Sequence, residues 1–92
     1  MTISTPQGGT DHELKCWPLP FQAIRDGRKH HEVRHTRDRV YQVGDNVLLR
    51  EWNPVTQEYT GRSQLVEITY VSVPGSFGLP DDIAVLSIER QF

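Results

Sequence analysis

Turn-forming residues divide this chain into short segments, and their spacing limits the fold more than any other feature of the sequence. Gly, Pro and Asn favour turns. These residues occur at Pro18, at Gly27, in the triplet 43–45 and in the stretches 53–58 and 74–80. Between several of these points, polar and apolar side chains alternate with the period of a β-strand. The pattern therefore predicts a mainly β (α+β) protein.

One short helix and five or six strands are expected. Pro20 suits the first turn of a helix and Gly27 suits its end, which predicts a helix over 20–26. The predicted strands cover 13–17, 29–35, 46–52, 63–73 and 83–88. So many strands in 92 residues favour a small closed or nearly closed barrel, because closure removes exposed strand edges.

Length and composition indicate one domain, 12–92, behind a disordered N-terminal tail, 1–11. The tail is rich in Thr, Ser, Pro, Gln and Gly and cannot bury enough apolar surface to order itself.

The N-terminus shows no secretory signal, and the apolar runs are far shorter than the ~20 residues of a membrane helix. Cys16 is the single cysteine, so no intrachain disulfide can form and we expect it to be a buried apolar residue. We expect a cytoplasmic protein that does not bind membranes.

Basic residues are concentrated in one segment of an otherwise acidic chain. The net charge is −2, but residues 25–39 carry +3 and the remainder carries −5. A local positive segment indicates an anion site better than the overall charge does, although a solvated charged surface is the alternative. The bases are Arg25, Arg28, Lys29, Arg34, Arg37 and Arg39, and the acids are Asp26, Glu32 and Asp38.

Three charged residues of this segment are spaced so that they can act together. On a strand, Glu32 and Arg34 point to one face, opposite Val33. The planar guanidinium of Arg34 suits a phosphate or the edge of a base, and Lys29 adds a more mobile positive charge. A purely structural ion-pair cluster is the alternative, although exposed ion pairs contribute only about 0–1 kcal/mol.

The segment 27–34, Gly-Arg-Lys-His-His-Glu-Val-Arg, resembles the Gly-x-Lys-x-x-Glu-x-Arg signature of ASCH domains, a branch of the PUA-like superfamily. More narrowly, the chain is similar over about residues 12–90 to a bacterial and phage family, domain of unknown function 3850. The resemblance implies a small PUA-like barrel whose Lys29, Glu32 and Arg34 line a cleft beside the helix. The other segments that carry it are His12-Glu13-Leu14-Lys15, Trp17-Pro18, Phe21-x-Ala23-Ile24, Val43-Gly44-Asp45, Leu49-Arg50-Glu51-Trp52, Tyr59-Thr60-Gly61-Arg62, Thr69-Tyr70-Val71 and Phe77-Gly78-Leu79.

These observations favour a module that binds RNA, single-stranded nucleic acid or a nucleotide-like ligand. Arg37 and Arg39 are candidates for further phosphate contacts. Trp17 and Trp52 are candidates for stacking on bases, worth about 1–3 kcal/mol per base, although aromatic side chains in a small domain are also core candidates. The oligomeric state stays open.

Two other functions remain open. Some ASCH proteins resemble amidohydrolases that deacylate a modified cytidine with a lysine and a threonine three positions later. Lys29 matches that lysine, but Glu32 occupies the threonine position, and the loop 73–82 is too short for the helical insertion that carries a third residue. If the protein is an enzyme, Lys29 and Glu32 are the expected catalytic residues. A protein-interaction or phage-related accessory domain is the other alternative.

The histidines and Cys16 do not form a recognisable metal motif. His12 and Cys16, and likewise His30 and His35, lack the usual zinc spacing, and the adjacent His30 and His31 face opposite sides of a strand. We therefore expect a binding module without a metal or other cofactor.

Overall fold

The computed structural model describes residues 10–91, in which one curled sheet and one α-helix enclose the core. The mainly β class expected from the alternating pattern is confirmed, with five strands. A short 3-10 turn, Ser76–Gly78, precedes the last strand. The elements are β1 (His12–Cys16), α1 (Pro18–Arg25), β2 (His31–His35), β3 (Asn46–Asn53), β4 (Glu58–Ser72) and β5 (Ile83–Arg90).

The strand order makes β1 and β2 the two edges of the sheet. The order is β1-β3-β4-β5-β2, with β1 parallel to β3 and the other neighbours antiparallel. The sheet curls into a half-barrel, so its edges approach each other. Arg34 of β2 crosses this gap, because its Nη2 donates a 2.7 Å hydrogen bond to the Lys15 carbonyl of β1.

The core lies on the inner face of the sheet and is closed at one side by α1. Alternate residues of β3, β4 and β5 point inward, and Phe21 and Ile24 of α1 are buried against β3. Burying apolar surface stabilises the fold by about 25 cal/mol per Å². The period-two pattern places the apolar side chains of these strands on the inner face, where they are buried. The largest fully buried side chains are Phe21, Ile24, Leu49, Ile68, Leu86, Val47 and Val66.

Element boundaries differ from expectation at the helix and in β4. The helix begins at Pro18 rather than Pro20, because Pro18 itself fills the first position, where a missing N–H has no consequence. Strand β4 begins at Glu58 instead of residue 63. Gln57 adopts a φ of 58°, and this left-handed residue lets the chain reverse tightly enough for Glu58 to pair with Asn53.

Most of the expected N-terminal tail, residues 1–9, lies outside the described residues. Asp11 is held against the start of β3, since its backbone N–H donates to the Asn46 carbonyl and its carboxylate accepts from the Asn46 N–H. Within residues 10–91, the one helix is far too short to cross a lipid bilayer.

Replacing Ile24 by Ala tests whether the packing of α1 stabilises the barrel. Ile24 is 1% exposed, so the substitution should lower the free energy of unfolding by about 2–5 kcal/mol. Leu19→Ala on the same helix is the control, because Leu19 is 84% exposed and should change stability by less than about 0.5 kcal/mol. Chemical denaturation measures both, and equal effects would contradict the described orientation of α1.

Candidate functional site

Glu32 is a buried carboxylate on the inner face of an edge strand. It is 6% exposed and lies opposite Leu86 of β5, which is fully buried. Val33, between Glu32 and Arg34, is 55% exposed. Glu32 and Arg34 therefore share one face, as predicted, but this face points into the barrel and the apolar residue points to solvent.

Two cations hold the Glu32 carboxylate, one at each oxygen. Lys29 Nζ donates to Oε2 at 3.1 Å, while Arg34 donates to Oε1 from Nε at 3.1 Å and from Nη2 at 2.7 Å. Lys29 Nζ also donates to the His31 carbonyl. Such charge-assisted hydrogen bonds compensate for burying the carboxylate. We call Lys29, Glu32 and Arg34 the Glu32 cluster.

The two cations of the Glu32 cluster keep part of their surface in solvent. The side chains of Lys29 and Arg34 are 23% and 24% exposed, whereas that of Glu32 is 8% exposed. Two positive charges and one negative charge leave a formal charge of +1 at the gap between β1 and β2. The cluster therefore presents fixed donors to solvent while its acid is withdrawn.

The end of α1 sets the position of Lys29. The backbone N–H groups of Arg28 and Lys29 both donate to the Ala23 carbonyl, at 2.8 and 3.1 Å, which ends the helix and directs the chain into β2. Gly27 makes this possible with a φ of 79°, a conformation that other residues adopt only at a cost of roughly 1–2 kcal/mol. Strand β2 begins at His31 rather than at the predicted residue 29, so Lys29 lies in the connection before β2, where it contacts Glu32.

A second buried acid, Glu51, lies near the Glu32 cluster and was not anticipated. Glu51 of β3 is 5% exposed and pairs in register with Cys16 of β1. The Thr60 hydroxyl donates to Glu51 Oε1 at 2.7 Å, and Arg62 Nε lies 3.8 Å from the same oxygen. Glu51 follows the inward alternation of Val47 and Leu49, so an acid at a core position was the available sequence signal.

Cys16 is buried, as predicted, and it lies between the two acids. It is 3% exposed, and burial, reinforced by the negative charge of Glu32, raises its thiol pKa to about 12. A protonated thiol is a weak nucleophile. Cys16 therefore serves as a small apolar core residue rather than a reactive group.

The remaining predicted site residues lie outside the Glu32 cluster. Arg37 is exposed and pairs with Asp82, its Nη1 lying 3.0 Å from Oδ2. Arg39 lines a separate cavity, and Trp17 is 60% exposed at the start of α1. Trp52 lies beneath Lys15, whose Nζ is 4.0 Å from the ring centre. The structure thus brings together Lys29, Glu32 and Arg34. The other four predicted site residues, Trp17, Arg37, Arg39 and Trp52, form no hydrogen bond or ion pair with them within residues 10–91.

Neither of two cavities within residues 10–91 is lined by the Glu32 cluster. One, of about 270 Å³, opens between Val40, Tyr41, Val73 and their neighbours. The other, of about 420 Å³, is lined by polar groups that include His30, Thr69, Glu89 and Arg90, with Ile88 as the remaining lining residue. The Glu32 cluster at the strand gap therefore lies outside both of these cavities.

His12 takes part in a contact that the sequence did not reveal. Its Nε2 lies 2.8 Å from Asp45 Oδ2, and its ring centre lies 4.7 Å from that of Tyr41. Among residues 10–91, no group of three or more His, Cys, Asp or Glu side chains is arranged to hold a metal ion. His12 instead fixes the ring of Tyr41.

Comparison with known proteins assigns the chain to a family. The model of the family described as domain of unknown function (DUF3850) matches residues 11–88, nearly all of the described chain. The chain belongs to the DUF3850 family. This DUF3850 chain is also similar to the "Uncharacterized 12.9 kDa protein in GpA 3'region" of Escherichia phage P2, with 38% identity over 61 residues. That match spans 66% of this chain and 53% of the phage protein, so it covers about half of the relative's length.

Replacing Glu32 by Gln tests the role of the buried carboxylate. The change leaves Lys29 and Arg34 without a counter-charge and should lower the free energy of unfolding by about 3 kcal/mol, as when a buried ion pair loses one partner. Glu58→Gln is the control, because Glu58 is exposed and forms no ion pair among residues 10–91. Denaturant titration distinguishes them, and an unchanged midpoint for E32Q would show that the carboxylate does not hold the cations.

Alkylation of Cys16 tests its burial and its raised thiol pKa. A folded-state pKa of about 12 means that the thiolate is scarce until the pH approaches that value. Native protein should therefore react with iodoacetamide only slowly between about pH 7 and 9, whereas denatured protein should react with the usual thiol pH dependence. Mass spectrometry measures the extent of reaction, and rapid labelling of native protein would contradict the described packing.

Proposed function

We propose that this DUF3850 protein is a nucleic-acid-binding module of ASCH type, within the PUA-like superfamily. The Glu32 cluster contacts a phosphate or a base edge of RNA or single-stranded DNA. The observation that carries the proposal is the pair of partly exposed cations held by one buried acid at the gap between the edge strands. This pair lies within the segment of net charge +3.

Donors on both cations remain available to a ligand. Arg34 uses Nε and Nη2 for Glu32 and Lys15, and its Nη1 makes no hydrogen bond within residues 10–91. Lys29 uses two of its three N–H groups, for Glu32 and the His31 carbonyl. Because Glu32 fixes the guanidinium, little side-chain entropy is lost on binding. These free N–H groups suit the oxygens of a phosphate.

An exposed aromatic residue, Trp17, follows the end of β1, the strand whose Lys15 carbonyl Arg34 contacts. The Lys15 carbonyl accepts from Arg34, and Trp17, two residues later, is 60% exposed. Exposed aromatic rings and cationic groups on one protein bind single strands by stacking and backbone contact. Trp17 is therefore the expected stacking residue, whereas Trp52 already packs against Lys15 and Tyr59.

The geometry favours binding over the hydrolase alternative. In the deacylase scheme, the residue three positions after the lysine supplies a hydroxyl nucleophile. Here that residue is Glu32, whose two oxygens are engaged by Lys29 and Arg34. A carboxylate held in this way orients the arginine rather than attacking a substrate.

A matched pair of substitutions tests the proposed function. Lys29→Gln and Arg28→Gln remove adjacent positive charges, but Arg28 is 65% exposed and pairs with Asp26, whereas Lys29 belongs to the Glu32 cluster. K29Q should weaken binding of a short single-stranded RNA or DNA and reduce the slope of log affinity against log salt by about 1. R28Q should leave both close to wild type. Fluorescence anisotropy over a salt series provides the measurement.

Two results would overturn this function. One is the absence of binding by wild-type protein to mixed RNA and DNA single strands at low salt. The other is an equal loss of affinity in K29Q and R28Q, which would indicate only a diffuse attraction to positive charge. Thermal unfolding of each variant verifies that the comparison is made between folded proteins.

A further inference from the structure

The apolar cavity of about 270 Å³ is connected to the Glu32 cluster through the pairing of β2 with β5. Ala84 lines this cavity and is the register partner of Arg34 in the β2–β5 ladder. Tyr41, Val71 and Val73 form further walls, and Thr36 and Arg39 are the polar lining residues. A strand bound at Arg34 would therefore pass the mouth of this cavity.

We propose that this cavity accepts one unstacked base from the nucleic-acid strand bound at the Glu32 cluster. The inference rests on the proposed function and adds a base-binding site to it. Pockets for drug-sized ligands measure about 300–1,000 Å³, so a volume slightly below this range suits a single flat ring system. Apolar walls suit the faces of a base, and proteins hold an unstacked base in a pocket of this kind.

Tyr41 lines this apolar cavity and carries a hydroxyl group. Tyr41 is 7% exposed, and its hydroxyl makes no hydrogen bond within residues 10–91. Every fully buried side-chain nitrogen or oxygen in that range has a hydrogen-bond partner. Because the Tyr41 hydroxyl has none, it is not fully buried and must reach solvent. We infer that the hydroxyl reaches solvent through the cavity that Tyr41 lines. Burial raises the pKa of Tyr41, so the phenol stays protonated and can donate to a ring nitrogen or carbonyl oxygen.

The ring of Tyr41 is held in place from behind. His12 packs against it and is itself fixed by Asp45, which also accepts a 2.9 Å hydrogen bond from the Gln42 backbone N–H. A wall supported in this way does not have to reorganise when a ligand enters, and preorganisation of this kind favours affinity.

Arg39 provides charge complementarity at the same cavity. Its side chain is 33% exposed, and its Nε lies 3.5 Å from Asp38 Oδ2, whose side chain is 55% exposed. Exposed pairs of this kind are weak, so Arg39 can exchange its carboxylate partner for the phosphate attached to the inserted base. Lys29, Arg34 and Arg39 would then follow the backbone of one strand.

Filling the cavity tests the inference directly. Val73 lines the cavity and is 56% exposed, whereas Val55 is 90% exposed at the β3–β4 turn and does not line it. Val73→Trp should block the site, and Val55→Trp is the matched control. Each protein is titrated with a short single-stranded RNA and with a series of the same strands that carry one abasic residue at successive positions.

Wild type and V55W should lose about tenfold in affinity for one or more of the abasic strands, the effect of losing one stacked base. V73W should bind the intact strand about tenfold more weakly and should not distinguish it from the abasic strands. Tyr41→Phe, which keeps the ring and removes the hydroxyl, should change the preference among bases more than the overall affinity.

Each contrary outcome has a distinct meaning. If strands bind in a Lys29-dependent way but abasic strands bind as tightly as intact ones, and V73W binds like V55W, the base pocket is refuted and the proposed function stands. That result would indicate that the cavity binds an apolar side chain of a protein partner instead of a base. If wild type binds no strand at low salt, the proposed function fails and the base pocket fails with it.

Discussion

The buried carboxylate of Glu32 is the interaction on which the rest of the site depends. A carboxylate at a core position is tolerated only when charged donors satisfy it, and Lys29 and Arg34 do so. The same arginine reaches the Lys15 carbonyl on the opposite edge of the sheet. One acid therefore fixes two cations and contributes to joining the edges of the half-barrel.

This arrangement is consistent with the proposed anion site on a chain of net charge −2. The positive charges that matter are held in fixed positions at one place by Glu32, while most other ion pairs lie on the exposed surface. Exposed pairs contribute little to stability and are screened by salt. Specific recognition would therefore come from the geometry of Lys29 and Arg34 rather than from overall charge.

Much of the fold could be predicted from residues that act locally. Gly27 follows the end of the helix as expected, and the period-two pattern in β4 placed Val66 and Ile68 in the core. Tyr70 has the same spacing but is exposed, because the pairing of β4 with β5 shifts register between Ile68 and Tyr70. The shared face of Glu32 and Arg34 followed from strand periodicity. Its inward direction did not, because Val33 was the one apolar residue of β2, and its outward position depends on pairing with β5.

Contacts between distant segments could not be read from the sequence. The Glu51–Thr60 and His12–Asp45–Tyr41 contacts depend on which strands pair and in what register. The central claim is that the Glu32 cluster is where nucleic acid binds, and NMR titration of ¹⁵N-labelled protein with a short single-stranded RNA tests it most directly. The Arg34 Nε–H signal and the amides of 29–34 should shift, while those of 55–58 stay unchanged. Shifts confined to other surfaces, or no shifts, would contradict the claim.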